Sequence, residues 1–193
     1  MKRLAWEAGY EADVLDDAEA QFGFRFPPDL RELLLERKPV GDGLWDWHKA
    51  DAAQWNRAQD WIANGIAFDV LYNGFWHSSI GARPANLRRP PKLGSAQGEA
   101  LVGAVSALHI RPWLDRSPKL IPFYGHRFVP SEPHKRGLPV LSVMQTDIVE
   151  YGRDLRDYVQ REFGEDIGER YASIMSERPD LWADVAEARY AQA

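Results

Sequence analysis

The chain has 193 residues, 45% of them hydrophobic and 12% aromatic, enough for one well-buried core and short for two. Its formal net charge is −5, so no general basic field draws it to nucleic acid or anionic lipid, and a basic protein partner fits better. The absence of cysteine excludes a disulfide framework and thiolate chemistry and fits a reducing compartment.

The N-terminus, MKRLAWEAGYEADVLDD, places acids where a signal peptide needs an apolar run, and no later segment has the length of a membrane span; a cytoplasmic protein with no membrane association is expected. From Glu11 to Phe22, Val14, Leu15, Ala18 and Phe22 recur at helical spacing. Asp13, Asp16, Asp17 and Glu19 take the other side, either as a solvated face or as a docking surface. Gly23 is placed to cap that helix, and Pro27-Pro28-Asp29 opens a second one carrying Leu30, Leu33, Leu34 and Leu35, so the two form a helical hairpin. A loop from Lys38 to Ala50 carries Asp42, Trp45, Asp46, Trp47 and His48. Asp51 caps a helix running to Asn64 with Trp55, Ala58, Trp61 and Ile62 on one face. Gly65 reads as a break, Ile66 to Leu71 as a strand, Asn73-Gly74 as a turn and Phe75-Trp76-His77 as the returning strand.

The stretch from Gly81 to Gly94 is irregular because of Pro84, Pro90 and Pro91, and it carries Arg83, Arg88 and Arg89. Ala100, Leu101, Ala104, Val105 and Leu108 mark a helix ending before Pro112. Leu120 to Tyr124 and Arg127 to Val129 read as strands of a hairpin joined at Gly125-His126. Next come a strand from Pro139 to Val143, the polar step Gln145-Thr146-Asp147, and a strand from Ile148 to Tyr151. A helix from Asp154 then carries Leu155, Tyr158, Val159 and Phe163. Strand, step, strand and helix without slack place this segment at the centre of the fold. Beyond it, a helix starting at Gly164-Glu165-Asp166 and holding Ile167, Tyr171, Ile174 and Met175, then one with Leu181, Trp182 and Val185, would form an extension over 164–193 packed on a domain of residues 1–163.

No two of His48, His77, His109, His126 and His134 stand at the i, i+4 spacing of a helical zinc site, and there is no glycine-rich phosphate loop, so no metal and no cofactor is expected. No G-x-S-x-G elbow exists. Asp69, Asp147 and Glu150 lie in predicted strands and could converge with His126, but an aspartate at a strand junction more often caps a turn, and no catalytic residue is assigned. Trp76, His77, Arg83, His126, Arg127, Gln145 and Asp147 lie near predicted strand ends and would together make a small-ligand pocket; ion pairs and turn bonds are the competing reading. Trp45, Trp47 and Trp76 are interface anchors if exposed and core if buried.

Four segments, FGFRFPPDLRELLLE, GIAFDVLYNGFWHSSIGARP, LIPFYGHRFVP and PVLSVMQTDIVEYGRDLRDYV, follow one another across about residues 11 to 163 in an order that resembles the SUKH superfamily, which includes fungal cell-wall-assembly regulators and bacterial immunity proteins. The resemblance implies a single α+β domain, with a mixed or mostly antiparallel sheet flanked by helices and no catalytic residues. It also implies a non-enzymatic protein that neutralises a cognate polymorphic toxin, a basic domain such as a nuclease, by stoichiometric binding. The acidic balance suits that partner. Asp13, Asp16, Asp17, Glu19, Asp42, Trp45, Asp46 and Trp47 are then the candidate contacts. The fungal members imply an alternative, a regulator or scaffold linked to cell-wall assembly or signalling; a hydrolase using His126 and Asp147 stands third. Oligomeric state is left open.

Overall fold

A computed structural model describes residues 4–88, 90–173 and 182. A short strand, β1 (Ala5–Ala8), leads to α1 (Ala12–Phe22) and α2 (Pro28–Glu36), and β2 (Arg37–Val40) returns to pair antiparallel with β1. The long helix α3 (Ala52–Tyr72) is followed by irregular chain, then α4 (Ala96–Val105), a π-helical turn over Ser106–Ile110, and α5 (Arg111–Leu114). Then come β3 (Leu120–Tyr124), β4 (Arg127–Pro130), β5 (Val140–Met144), β6 (Asp147–Gly152) and α6 (Leu155–Phe163). The last four strands form one antiparallel sheet in sequence order. The molecule is an α+β domain with two antiparallel sheets and flanking helices.

Alternation along the strands sorts their side chains between two cores, because successive residues point to opposite faces. Ile121, Phe123, Val129 and Val140 join Leu15, Phe22, Leu30, Leu33 and Tyr158 of α1, α2 and α6. Leu120, Phe128, Leu141 and Val143 join Ile62, Ile66 and Val70 of α3 and Trp113 of α5. The sheet is therefore covered on both faces over β3, β4 and β5, which read as apolar runs, whereas the edge strand β6 alternates and leaves Val149 and Tyr151 exposed.

Local signals at most boundaries match the sequence. Gly23 ends α1 in the left-handed conformation at φ 66°, and Asp51 caps α3 by accepting from the Gln54 amide at 2.7 Å. The hairpin turns at Gly125-His126, and α6 is capped by Asp154.

Five expectations are corrected. Ile66 to Leu71 is not a strand: α3 runs straight through Gly65, and its buried positions Ile62, Ala63, Ile66, Ala67, Val70 and Leu71 keep helical spacing. Phe75-Trp76-His77 is irregular chain leading to a 3₁₀ turn at Ser78–Ile80. The helix expected to stop before Pro112 continues: the π-helical turn at Ser106–Ile110 runs directly into α5, which has Pro112 at its second position. The pairing of β1 with β2 turns the start of the expected Trp-bearing loop into a strand. Residues 164–168 are not helical, only Glu169–Tyr171 forms a 3₁₀ turn, and Ile174, Met175, Leu181 and Val185 lie outside the described residues. Trp182 is buried and donates its indole N–H to the Pro118 carbonyl at 3.2 Å. Among the described residues no helix is long and apolar enough to cross a membrane.

Candidate functional site: an aromatic cleft

The segment between β2 and α3 is fastened to the β3–β4 hairpin by main-chain bonds. Trp45 N–H donates to the Phe123 carbonyl at 3.0 Å, Gly125 N–H donates to the Gly43 carbonyl at 2.9 Å, and Leu44 bridges Tyr124. Gly43 has φ +86°, and a Cβ there would come within 3.0 Å of the Tyr124 ring, so glycine is needed both for the turn and for the contact. Inside the segment, Tyr10 Oη accepts from the Trp47 amide at 3.1 Å and donates to Asp46 Oδ1 at 3.4 Å. Burial pushes the Tyr10 phenol up to about 12, helped by the neighbouring Asp46 charge, so it stays a donor. Burial also pushes the Asp46 carboxyl up, but bonds from Lys49 and the His48 amide, with the charges of Lys49 and Lys38, hold it below the usual carboxylate range.

This fastening leaves a cleft of about 940 Å³ between β2, the Trp segment, the first half of α3 and the hairpin. Tyr10, Trp45, Trp61, Phe123, Tyr124 and Phe128 supply its aromatic wall, and Glu7, Lys38, Asp46, Lys49, Arg57 and His126 its charged and titratable groups. Trp61 is 52% exposed, although its indole N–H reaches the Val143 carbonyl at 3.3 Å. The Trp45 indole N–H is sheltered and has no acceptor among the described residues. His126 is held below its usual pKa by burial and by the adjacent Arg127 charge, opposed by Glu162, so its ring is neutral at pH 7.

The acidic candidates separate into two sets. Asp13, Asp16 and Asp17 are exposed on α1, with Asp16 paired to Arg31 at 2.6 Å and Asp13 accepting from the Val14 amide at 2.8 Å; Asp42 is exposed at its turn. Glu19 is instead 6% exposed, and its carboxylate accepts from Arg25 at 2.6 Å and from the Phe26 amide at 2.8 Å. Trp47 is core, packed against Phe22, Phe24 and Phe26.

The seven residues expected to share a pocket do not share one. Only His126 lines the cleft. Trp76 donates to the Gly81 carbonyl at 2.8 Å, His77 bonds Ser79 at 2.5 Å, and Arg83 caps the end of α3 through the Val70 and Gly74 carbonyls at 3.0 and 3.4 Å. Arg127 donates to Ser142 Oγ at 3.0 Å and lies over the Tyr151 ring. Gln145, at φ 60°, turns β5 into β6, and Asp147 pairs with Met144. His126 sits opposite Val143 of β5 while Asp147 belongs to β6, so about two strand spacings, roughly 10 Å, separate them. Asp69 is committed to the Thr146 amide and hydroxyl at 2.9 and 2.5 Å and to Asn73 at 2.5 Å. Among the described residues no group of three or more histidine, aspartate and glutamate side chains is placed to hold a metal ion.

Tyr10, Lys38, Arg57 and Trp61 escaped the sequence reading as site residues. For Arg57 and Trp61 the signal was their i, i+4 spacing, a cation and an indole on one helix face beside Gln54 and Ala58. Comparisons of this chain with protein-family models, curated proteins and solved structures found no match.

Proposed function

We propose that this chain is a non-catalytic protein-binding domain of the immunity type that its SUKH-like segments imply, acting by stoichiometric occlusion of a basic toxin domain. The observation that carries the reading is the acidic face of α1. Asp13, Asp16 and Asp17 face solvent, while Leu15, Ala18 and Phe22 on the opposite side anchor the same helix in the core. Negative charge is thus presented on a rigid element, as charge steering onto a basic surface requires. Among the other candidates, Asp42 is exposed at its turn, Trp45 and Asp46 line the cleft, and Glu19 and Trp47 are buried.

Affinity capture from the native host, with the purified chain as bait at low and moderate salt, tests the reading. It expects one basic domain retained at equal stoichiometry and released as salt screens the contact. Recovery of wall-synthesis or housekeeping proteins alone would transfer the assignment to a regulator or scaffold. A toxin gene directly upstream of the coding sequence would add independent support.

A further inference from the structure

The cleft carries a sign of charge opposite to that of the chain. Its walls hold three cations, Lys38, Lys49 and Arg57, against two acids, Glu7 and Asp46, in a protein of net charge −5. Both acids are already engaged, Glu7 by Lys38 at 3.3 Å and Asp46 by Lys49 at 3.0 Å. Lys38 also lies over the Tyr10 ring. Arg57 is exposed on α3 and has no ion pair or hydrogen bond among the described residues. The His126 ring on the opposite wall is likewise without a hydrogen bond among them. What the cleft has left over is therefore a guanidinium, an imidazole and the open face of Trp61.

The complement of those groups is a carboxylate carried beside an apolar side chain, since a guanidinium fork matches a carboxylate in geometry as well as charge. A volume of about 940 Å³ exceeds what one side chain fills. Small ligands are usually enclosed over most of their surface, whereas this cleft is open to solvent between four separate elements. We infer that the cleft is a docking groove for an acidic peptide segment, an extended stretch of a partner protein in which carboxylates alternate with apolar side chains. Arg57 anchors a carboxylate and Trp61 supports the apolar neighbour. The inference does not rest on the immunity reading, which uses the outward face of α1. The negative charge elsewhere on the chain opposes it only weakly, because fields beyond about 8 Å are screened at physiological salt.

Fluorescence anisotropy with short labelled peptides alternating phenylalanine with glutamate, glutamine or lysine tests the groove. The glutamate peptide is expected to bind about tenfold more tightly than the glutamine peptide, with the lysine peptide weakest, as the loss of one charge-assisted bond implies. Arg57→Gln should remove about that tenfold preference with an unchanged melting temperature, and Trp61→Ala should weaken all three peptides. Equal affinity for the glutamate and glutamine peptides, indifference to Arg57→Gln, or no binding by the folded chain would overturn the proposal. Phenylacetate binding as tightly as the glutamate peptide would overturn the peptide assignment in favour of a small carboxylate.

Discussion

Asp69 shows what one buried carboxylate does in this fold. It is 0% exposed on α3 and holds the β5–β6 turn through Thr146. Asp69→Ala strands the Thr146 amide inside the protein, so denaturant titration should show a loss of about 2–3 kcal/mol, with Asp69→Asn losing less because one acceptor oxygen remains. Gly65 makes the neighbouring contact possible. A Cβ there would lie 3.0 Å from Gln145 Cα, which is main chain and cannot swing aside. Gly65→Ala should therefore destabilise by about 1 kcal/mol or more in the same titration, although alanine is the better helix former. His126 supplies a pH signature. Burial and Arg127 depress its folded pKa, so its contribution is fully present above the unfolded value near 6.5 and is lost as pH falls through the lower folded value. His126→Gln should flatten the decline in stability between pH 6.5 and the folded pKa, as thermal melts across that range would show.

At the scale of elements, the N-terminus of α3 depends on one side chain. Asp51→Ala should cost about 1 kcal/mol, because the Gln54 amide loses its acceptor. The rest of α3 explains where sequence reading succeeded and failed. Asp51 was readable because an aspartate ahead of helical spacing has one local meaning. The second half was not: Gly65 imitates a break, and Ile66 to Leu71 imitates a strand because the helix is buried there on more than one side. Gly65 is glycine to admit the Gln145 main chain, a reason that lies about eighty residues away and leaves no local mark. The strands β3 to β6 and helix α6 were readable because short apolar runs, turns and caps agree locally. The β1–β2 pair was not, since four residues broken by Pro39 carry little signal. Of the site, the Trp segment and His126 were legible as unusual residues, but the cleft joins β2, α3 and a distant hairpin, and only tertiary packing brings those together.

For the whole molecule, charge is divided between two surfaces: an acidic helix face directed outward and a cleft whose unpaired charge is positive. A partner that used only α1 would bind with strong salt dependence and indifference to Arg57. One that also inserted an acidic segment would show at least as steep a salt slope, because its carboxylate contact is screened as well, and sensitivity to both surfaces. The immunity account stands on the first surface. It is tested most directly by repeating the capture from the native host with Asp13, Asp16 and Asp17 all changed to lysine, after confirming an unchanged melting temperature. The account predicts that a basic domain held at equal stoichiometry by the wild-type chain is lost by the charge-reversed chain. Retention of that domain by both chains, or capture of no basic protein by the wild type, would contradict it.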